Sequence, residues 1–180
     1  MSVVLAIGAL AAPLCAQAPA DEAQVKAAFV YNFLKFVEWP PESFTGPGDS
    51  LIIGIVGKGS TAMAAEVLLE GKHVSNRAIA VRRLGEDEPV SGVHAVFIGE
   101  SDGTHVQRIL DATASASILS IGEGKHFAHQ GGVIGLRVES SKVRFEINTD
   151  AADSARLRIS SKLLALARVI TTRNAERDRR

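Results

Sequence analysis

Leu51-Ile52-Ile53-Gly54-Ile55-Val56 runs directly into Gly57-Lys58-Gly59-Ser60-Thr61-Ala62. The first six residues are unbroken apolar sequence, which reads as a strand buried on both faces. The glycines turn the chain, and Ser60 opens a helix that continues to about Leu69 and stops at Gly71. A doubly covered strand followed by a helix is the unit from which parallel sheets are wound. Downstream the unit recurs. Residues 78–84 and 93–98 read as strands, a helix starts at Ser101-Asp102-Gly103, and residues 117–121 form a further short strand.

The chain then changes character. Gly131-Gly132 leads into a hairpin over residues 133–148, with its turn at Glu139-Ser140-Ser141. Val143, Phe145 and Ile147 alternate with Lys142, Arg144, Glu146 and Asn148, the period of a half-buried strand. This predicts an exposed row of Arg144, Glu146 and Asn148. A long helix is predicted from about Ala151, capped by Asp150 or Asp153. Its small residues Ser160, Ser161, Ala165 and Ala167 would allow close packing on the sheet.

Upstream, Val25, Ala28, Phe29, Phe33, Phe36 and Val37 recur at helical spacing, and Pro40-Pro41 ends that helix. Asp21 is placed to cap its start. Trp39, at its exit, either covers the core or stands as an anchor for a partner. The predicted architecture is one α/β domain over residues 21–172. It has a mostly parallel sheet with helices on both faces, an antiparallel C-terminal hairpin and a final helix. Residues 173–180 form a polar tail.

Composition narrows the function classes. The 180 residues carry a formal net charge of zero, with 46% hydrophobic and 22% charged residues. No global field attracts nucleic acid, and none is expected as a partner. Residues 1–20 hold no charge, contain an apolar run from Val3 to Ala12, and end in small residues. They read as a signal peptide cleaved after Ala20, although the usual basic start is missing. Cys15, the only cysteine, lies within it, so the mature chain has no disulfide.

Three constellations bear on chemistry. Gly57, Lys58, Gly59 and Ser60 fit the loose dinucleotide pattern G-x-G-x-x-A, and amides at that helix start can hold an anion. However, Arg82-Arg83 stand where an acidic ribose ligand is expected, and a plain tight turn is the default reading. His126 and His129 lie near Glu123 in a glycine-rich connection, but no second cluster completes a metal site. Ser160-Ser161-Lys162 lacks the spacing of a Ser-Lys catalytic pair, and no G-x-S-x-G elbow occurs. No catalytic residue, cofactor or metal is assigned.

Residues 25–40, Val-Lys-Ala-Ala-Phe-Val-Tyr-Asn-Phe-Leu-Lys-Phe-Val-Glu-Trp-Pro, resemble the opening signature of the YfiR family of periplasmic proteins. Gly131-Gly132, residues 144–148 (Arg-Phe-Glu-Ile-Asn) and the Leu157-to-Ala167 stretch resemble its closing signature. The resemblance covers nearly the whole mature chain. It implies a non-enzymatic periplasmic regulator that represses an inner-membrane diguanylate cyclase by binding the cyclase's periplasmic portion. An OmpA-like outer-membrane lipoprotein would sequester it and release the cyclase, raising cyclic di-GMP and biofilm formation. A homodimer stays open. Without a mature cysteine, the redox control of some members is not available here. On this reading Trp39, Arg144, Glu146, Asn148 and Ser160 line the partner surface. The rival is a small-ligand or nucleotide-binding periplasmic protein that uses the turn from Gly57 to Ala62.

Overall fold

The computed structural model describes residues 21–99 and 103–171. The expected signal peptide, the start of the helix at Ser101-Asp102, residue 172 and the polar tail over 173–180 lie outside the described residues. In chain order the elements are α1 (Glu22–Lys35), β1 (Val37–Glu38), β2 (Leu51–Val56), α2 (Ser60–Leu69), β3 (His73–Val74), β4 (Arg77–Arg83), β5 (Ala95–Ile98) and α3 (Gly103–Thr113). There follow β6 (Leu119–Glu123), β7 (Ile134–Glu139), β8 (Lys142–Asn148), α4 (Thr149–Ser154), β9 (Arg158–Ile159), α5 (Ser161–Leu164) and β10 (Arg168–Ile170).

The main sheet has the order β10-β8-β7-β6-β5-β2-β4-β3. Strands β4, β2, β5, β6 and β7 are parallel, β8 runs antiparallel to β7, and β3 runs antiparallel to β4. From β2 the winding goes first to β4 on one side and later to β5 on the other. Right-handed crossovers in opposite directions place their helices on opposite faces. Accordingly α1 and α2 cover one face, in a core with Leu51, Ile53, Phe97, Ile121 and Leu136. Helix α3 covers the other, where Ile109 and Leu110 meet Val56, Val96, Ile98 and Phe127. Gly54 in β2 leaves room for Leu84, whose Cδ1 would stand 2.5 Å from an added Cβ and would have to shift.

The buried stripe of α1 is Ala23, Ala27, Val30, Phe33 and Leu34, and Val25, Ala28 and Phe29 are only half-buried. The helix is rotated from the face that the phenylalanines suggested. It lies against α2, and Ala27, Ala62 and Ala65 belong to one core. Small residues let the helices approach, so the alanines are buried at the expense of larger neighbours. Phe29 and Phe33 reach Phe145 of β8, with ring centroids 5.7 and 5.0 Å away. Asp21 occupies the N-cap position of α1, but its side chain makes no capping bond.

The predicted long C-terminal helix is not formed. Residues 149–170 divide into α4, β9, α5 and β10. Helix α4 stops because Arg156 takes a left-handed conformation, φ 56°. The released chain then pairs twice, β9 antiparallel to β1 and β10 parallel to β8. Two strand pairings and the burial of Leu157, Leu163 and Ile170 replace what one exposed-sided helix would have gained. Strand β10 therefore lies outside the hairpin, at one edge of the sheet. The caps differ too: Asn148, not Asp150 or Asp153, caps α4, and Ser160 caps α5.

Candidate functional site

The expected row of Arg144, Glu146 and Asn148 divides. Arg144 is exposed, whereas Glu146 and Asn148 are buried, at 2% and 5% exposure. A short 3-10 turn, Ala128–Gln130, lies over their face of β8. The Glu146 carboxylate sits 3.4 Å from His129 Nε2, 3.6 Å from Arg137 Nε and 3.4 Å from Arg168 Nη1. One buried acid thus links the turn, β7 and β10. A buried carboxylate needs partners of this kind, because its desolvation costs several kcal/mol (order of magnitude). Asn148 donates from Nδ2 to the Ala128 carbonyl at 2.8 Å, and its Oδ1 accepts from Ala151 N–H at 3.0 Å. Alternation showed which residues share a face but could not show that a turn about twenty residues upstream covers it.

The same turn explains the glycines around it. Phe127 is inserted against the sheet, 3% exposed. A Cβ on Gly122 would lie 2.3 Å from its ring, and one on Gly132 would lie 2.1 Å away. Gly131 ends the turn with φ 106°, a left-handed conformation that favours glycine. The Gly131-Gly132 pair and the Arg144-to-Asn148 segment therefore form one structural unit, locked by Phe127, His129, Glu146 and Asn148. The rings of His126 and His129 lie 6.2 Å apart, and among the described residues no group of three His, Cys, Asp or Glu side chains is arranged to hold a metal.

Trp39 is half-buried against the core, and its indole N–H donates to the His94 carbonyl at 2.8 Å. His94, which sequence reasoning missed, ties three segments. Its Nδ1 accepts from Ile52 N–H at 3.0 Å, so the proton is assigned to Nε2, which faces the Ser43 carbonyl at 2.9 Å. Phe44 stacks on the imidazole at 4.4 Å, and Arg77 lies 3.7 Å over Phe44. Burial, reinforced by the nearby Arg77 charge, lowers the His94 pKa below its ordinary value despite the opposing hydrogen bonds. Asp49 is held below the usual carboxylate range by bonds from the Thr45 hydroxyl and the Gly46 and Thr45 amides. Only the stacked aromatics could have signalled this cluster, and they are far apart in sequence.

Ser160 is half-exposed; its backbone N–H donates to Phe36 O and its hydroxyl accepts from Lys162 N–H. In the antiparallel pairing of β1 with β9, Trp39 and Ser160 flank opposite ends of the two-stranded ladder, and Arg144 belongs to β8 of the main sheet.

At the Gly57–Ser60 turn, Gly57 has φ 91° and Gly59 precedes α2. The adjoining cleft is lined by Asp21, Glu22, Lys26, Thr61 and Glu123. Lys26 Nζ lies 2.7 Å from both Glu22 and Glu123, and the Thr61 hydroxyl donates to Glu123 at 3.1 Å. Burial lowers the Lys26 pKa, but the bonds to Glu123 and Glu22 outweigh it and the net shift is upward. A carboxylate of the chain already occupies the position beside this helix start. Three acids and one lysine give the cleft a charge that opposes a phosphate.

The fold and these contacts define a doubly wound α/β domain in which a glycine-rich turn is clamped onto the final long strand by buried polar side chains. Residues 23–168 match the YfiR/HmsC-like family, and the chain belongs to that family. That family is one of periplasmic regulators in cyclic di-GMP signalling and is regulatory and not catalytic. The fold is also similar to a crystal structure described as a conserved domain protein from Vibrio cholerae, with a TM-score of 0.55 and 13% identity. The match covers 83% of this chain and 60% of that one, so this chain spans less than two thirds of that protein. Among the described residues, no helix is long and apolar enough to cross a membrane.

Proposed function

We propose that the chain represses an inner-membrane diguanylate cyclase by binding the cyclase's periplasmic portion, and so lowers cyclic di-GMP and biofilm formation. The observation that carries this reading is family membership across residues 23–168. In this reading residues 1–20 direct export, residues 21–172 are the working domain, and an OmpA-like outer-membrane lipoprotein relieves repression. Arg144, Trp39 and Ser160 reach the surface and contact the partner. Glu146 and Asn148 contribute from beneath, by fixing the turn and the strands around it. The small-ligand alternative at Gly57, Lys58, Gly59 and Ser60 is weaker, because Glu123 and its acidic neighbours disfavour an anion there.

The test is genetic and then biochemical. Deleting the gene should raise cellular cyclic di-GMP, and a plasmid copy should lower it again. The purified mature chain should bind the periplasmic portion of the cyclase. Unchanged cyclic di-GMP after deletion, together with no binding, would refute the proposal.

A further inference from the structure

A second cleft opens at the other end of the parallel strands from the glycine turn at residues 57–60. Ser50 lies just before β2, His94 just before β5 and Ser117 shortly before β6. Ser43 and Asp49, from the connection between β1 and β2, complete its polar wall. The cleft measures about 410 Å³, within the range of small-ligand sites.

Its wall carries hydrogen-bonding capacity that the protein does not use. Four buried side-chain polar atoms have no partner among the described residues, and two of them, Ser43 Oγ and Ser117 Oγ, belong to this one cleft. Ser117 is 6% exposed and holds φ 52°, a left-handed conformation that serine rarely adopts. A buried hydroxyl gives up its water on folding and recovers nothing unless a partner binds it. The Asp49 carboxylate takes the Thr45 hydroxyl and the Thr45 and Gly46 amides all on Oδ2. Among the described residues no hydrogen bond reaches its Oδ1. His94, by contrast, spends both ring nitrogens, on Ile52 N–H and Ser43 O.

Charge and bonding select the class of ligand. Arg77 and Arg82 come near, but Arg77 donates to the Gly46 and Asp49 carbonyls and Arg82 to the Ser91 carbonyl, and neither lines the cleft. Asp49 alone among the lining residues is charged. An anion would meet that carboxylate with no cation facing it. A simple ammonium offers donors only and would leave both serine O–H groups unspent. A ligand hydroxyl donates and accepts at once, so neighbouring hydroxyls can serve Asp49 Oδ1 and the serines together.

We propose that this cleft binds a small neutral polyhydroxylated solute, of about the size of a monosaccharide. Asp49 accepts from its hydroxyls, and Ser43 and Ser117 donate to them. Binding turns the two serines about χ1 toward the ligand, between staggered wells. The site goes beyond the repressor reading and does not depend on it. Its link to that reading is Trp39, whose indole N–H bonds the main-chain carbonyl of His94 at 2.8 Å.

Trp39 is the single tryptophan of the chain, so its fluorescence reports on the cleft. The mature chain is titrated with D-glucose, D-ribose, myo-inositol and glycerol, and with sodium acetate and ethanolamine as charged controls. At least one polyol should give a saturable change below about 10 mM, with nitrogen-15 amide shifts centred on Ser50, His94 and Ser117. Ser117→Ala should weaken that polyol about tenfold without lowering Tm, because the hydroxyl has no partner to lose. Ala116→Phe, at an exposed lining position, should abolish binding by filling the cleft, again at unchanged Tm. Saturation by none of the polyols, saturation by acetate or ethanolamine alone, or shifts centred elsewhere would overturn the site. So would a fall in Tm for Ser117→Ala with polyol binding unchanged, which would make that hydroxyl the anchor of a structural water. Because the readout is direct binding, failure of the site leaves the repressor reading standing, and failure of that reading leaves the site standing.

Discussion

Replacing Gly132 with alanine tests how the glycine-rich turn is held. The added Cβ would lie 2.1 Å from Phe127 Cε1, 2.4 Å from Cδ1 and 2.8 Å from Cζ. Ordinary carbon contacts begin near 3.4 Å, so the ring would have to retreat by roughly 1.3 Å. It has no free direction, because it is 3% exposed and a Cβ on Gly122 would stand 2.3 Å from it on another side. Overpacking a tight core site costs about 1–3 kcal/mol, and this contact belongs at the upper end. Reduced freedom of the unfolded chain returns about 0.4–1 kcal/mol, since Gly132 does not require a positive φ. The net expectation is a loss of about 2 kcal/mol, equivalent to a fall of about 4–8 °C in Tm. Urea unfolding of the mature chain followed by circular dichroism measures it, with an unchanged slope indicating a true stability change. The decisive comparison is a cycle with Phe127→Ala, which alone should cost about 3–5 kcal/mol. In that background Gly132→Ala should cost nothing further, because the ring it strikes is gone. A loss under about 0.5 kcal/mol in the wild-type background, or strict additivity in the cycle, would refute the interlock.

Two further outcomes follow from the polar contacts. Glu146→Ala leaves Arg137 and His129 facing an empty buried site and should cost about 3 kcal/mol in urea unfolding, while Arg144→Ala, on the same face but beyond the covering turn, should change stability by less than about 0.5 kcal/mol. For His94, the folded pKa lies below the unfolded value of 6.5, so the unfolded chain binds the proton first. The stabilisation is fully present above about pH 6.5 and is lost as pH falls toward the lowered folded value. Tm should therefore drop between pH 7 and pH 5, and His94→Gln should flatten that drop; an identical pH profile in the variant would show that His94 does not titrate this way.

Much of the architecture was legible because it depends on local pattern. The apolar run at Leu51–Val56 became a central parallel strand, and the alternation at Lys142–Asn148 became the outer strand of the hairpin. The family resemblance rested on the aromatic α1, the paired glycines and the Arg-Phe-Glu-Ile-Asn segment, all of which can be read in order. The site was less legible. Period-two alternation assigns residues to a face of a strand, yet the covering of that face by the Ala128–Gln130 turn depends on contacts across about twenty residues of chain. Likewise the helical spacing after Ala151 was genuine, but pairing with β1 and β8 offered the segment more than local hydrogen bonds could.

Sequence therefore determined the elements whose periodicity matches their burial: the apolar parallel strands, the helices that alternate with them and the turns set by glycine. Tertiary structure alone decided which polar groups on that face of β8 are buried. Glu146 and Asn148 turn inward because the chain beyond Phe127 and the strand at Arg168 bring partners to them, and Arg144 stays in solvent because neither reaches that far. Burial of a carboxylate is a property of what surrounds it, and those surroundings come from segments that no local window contains.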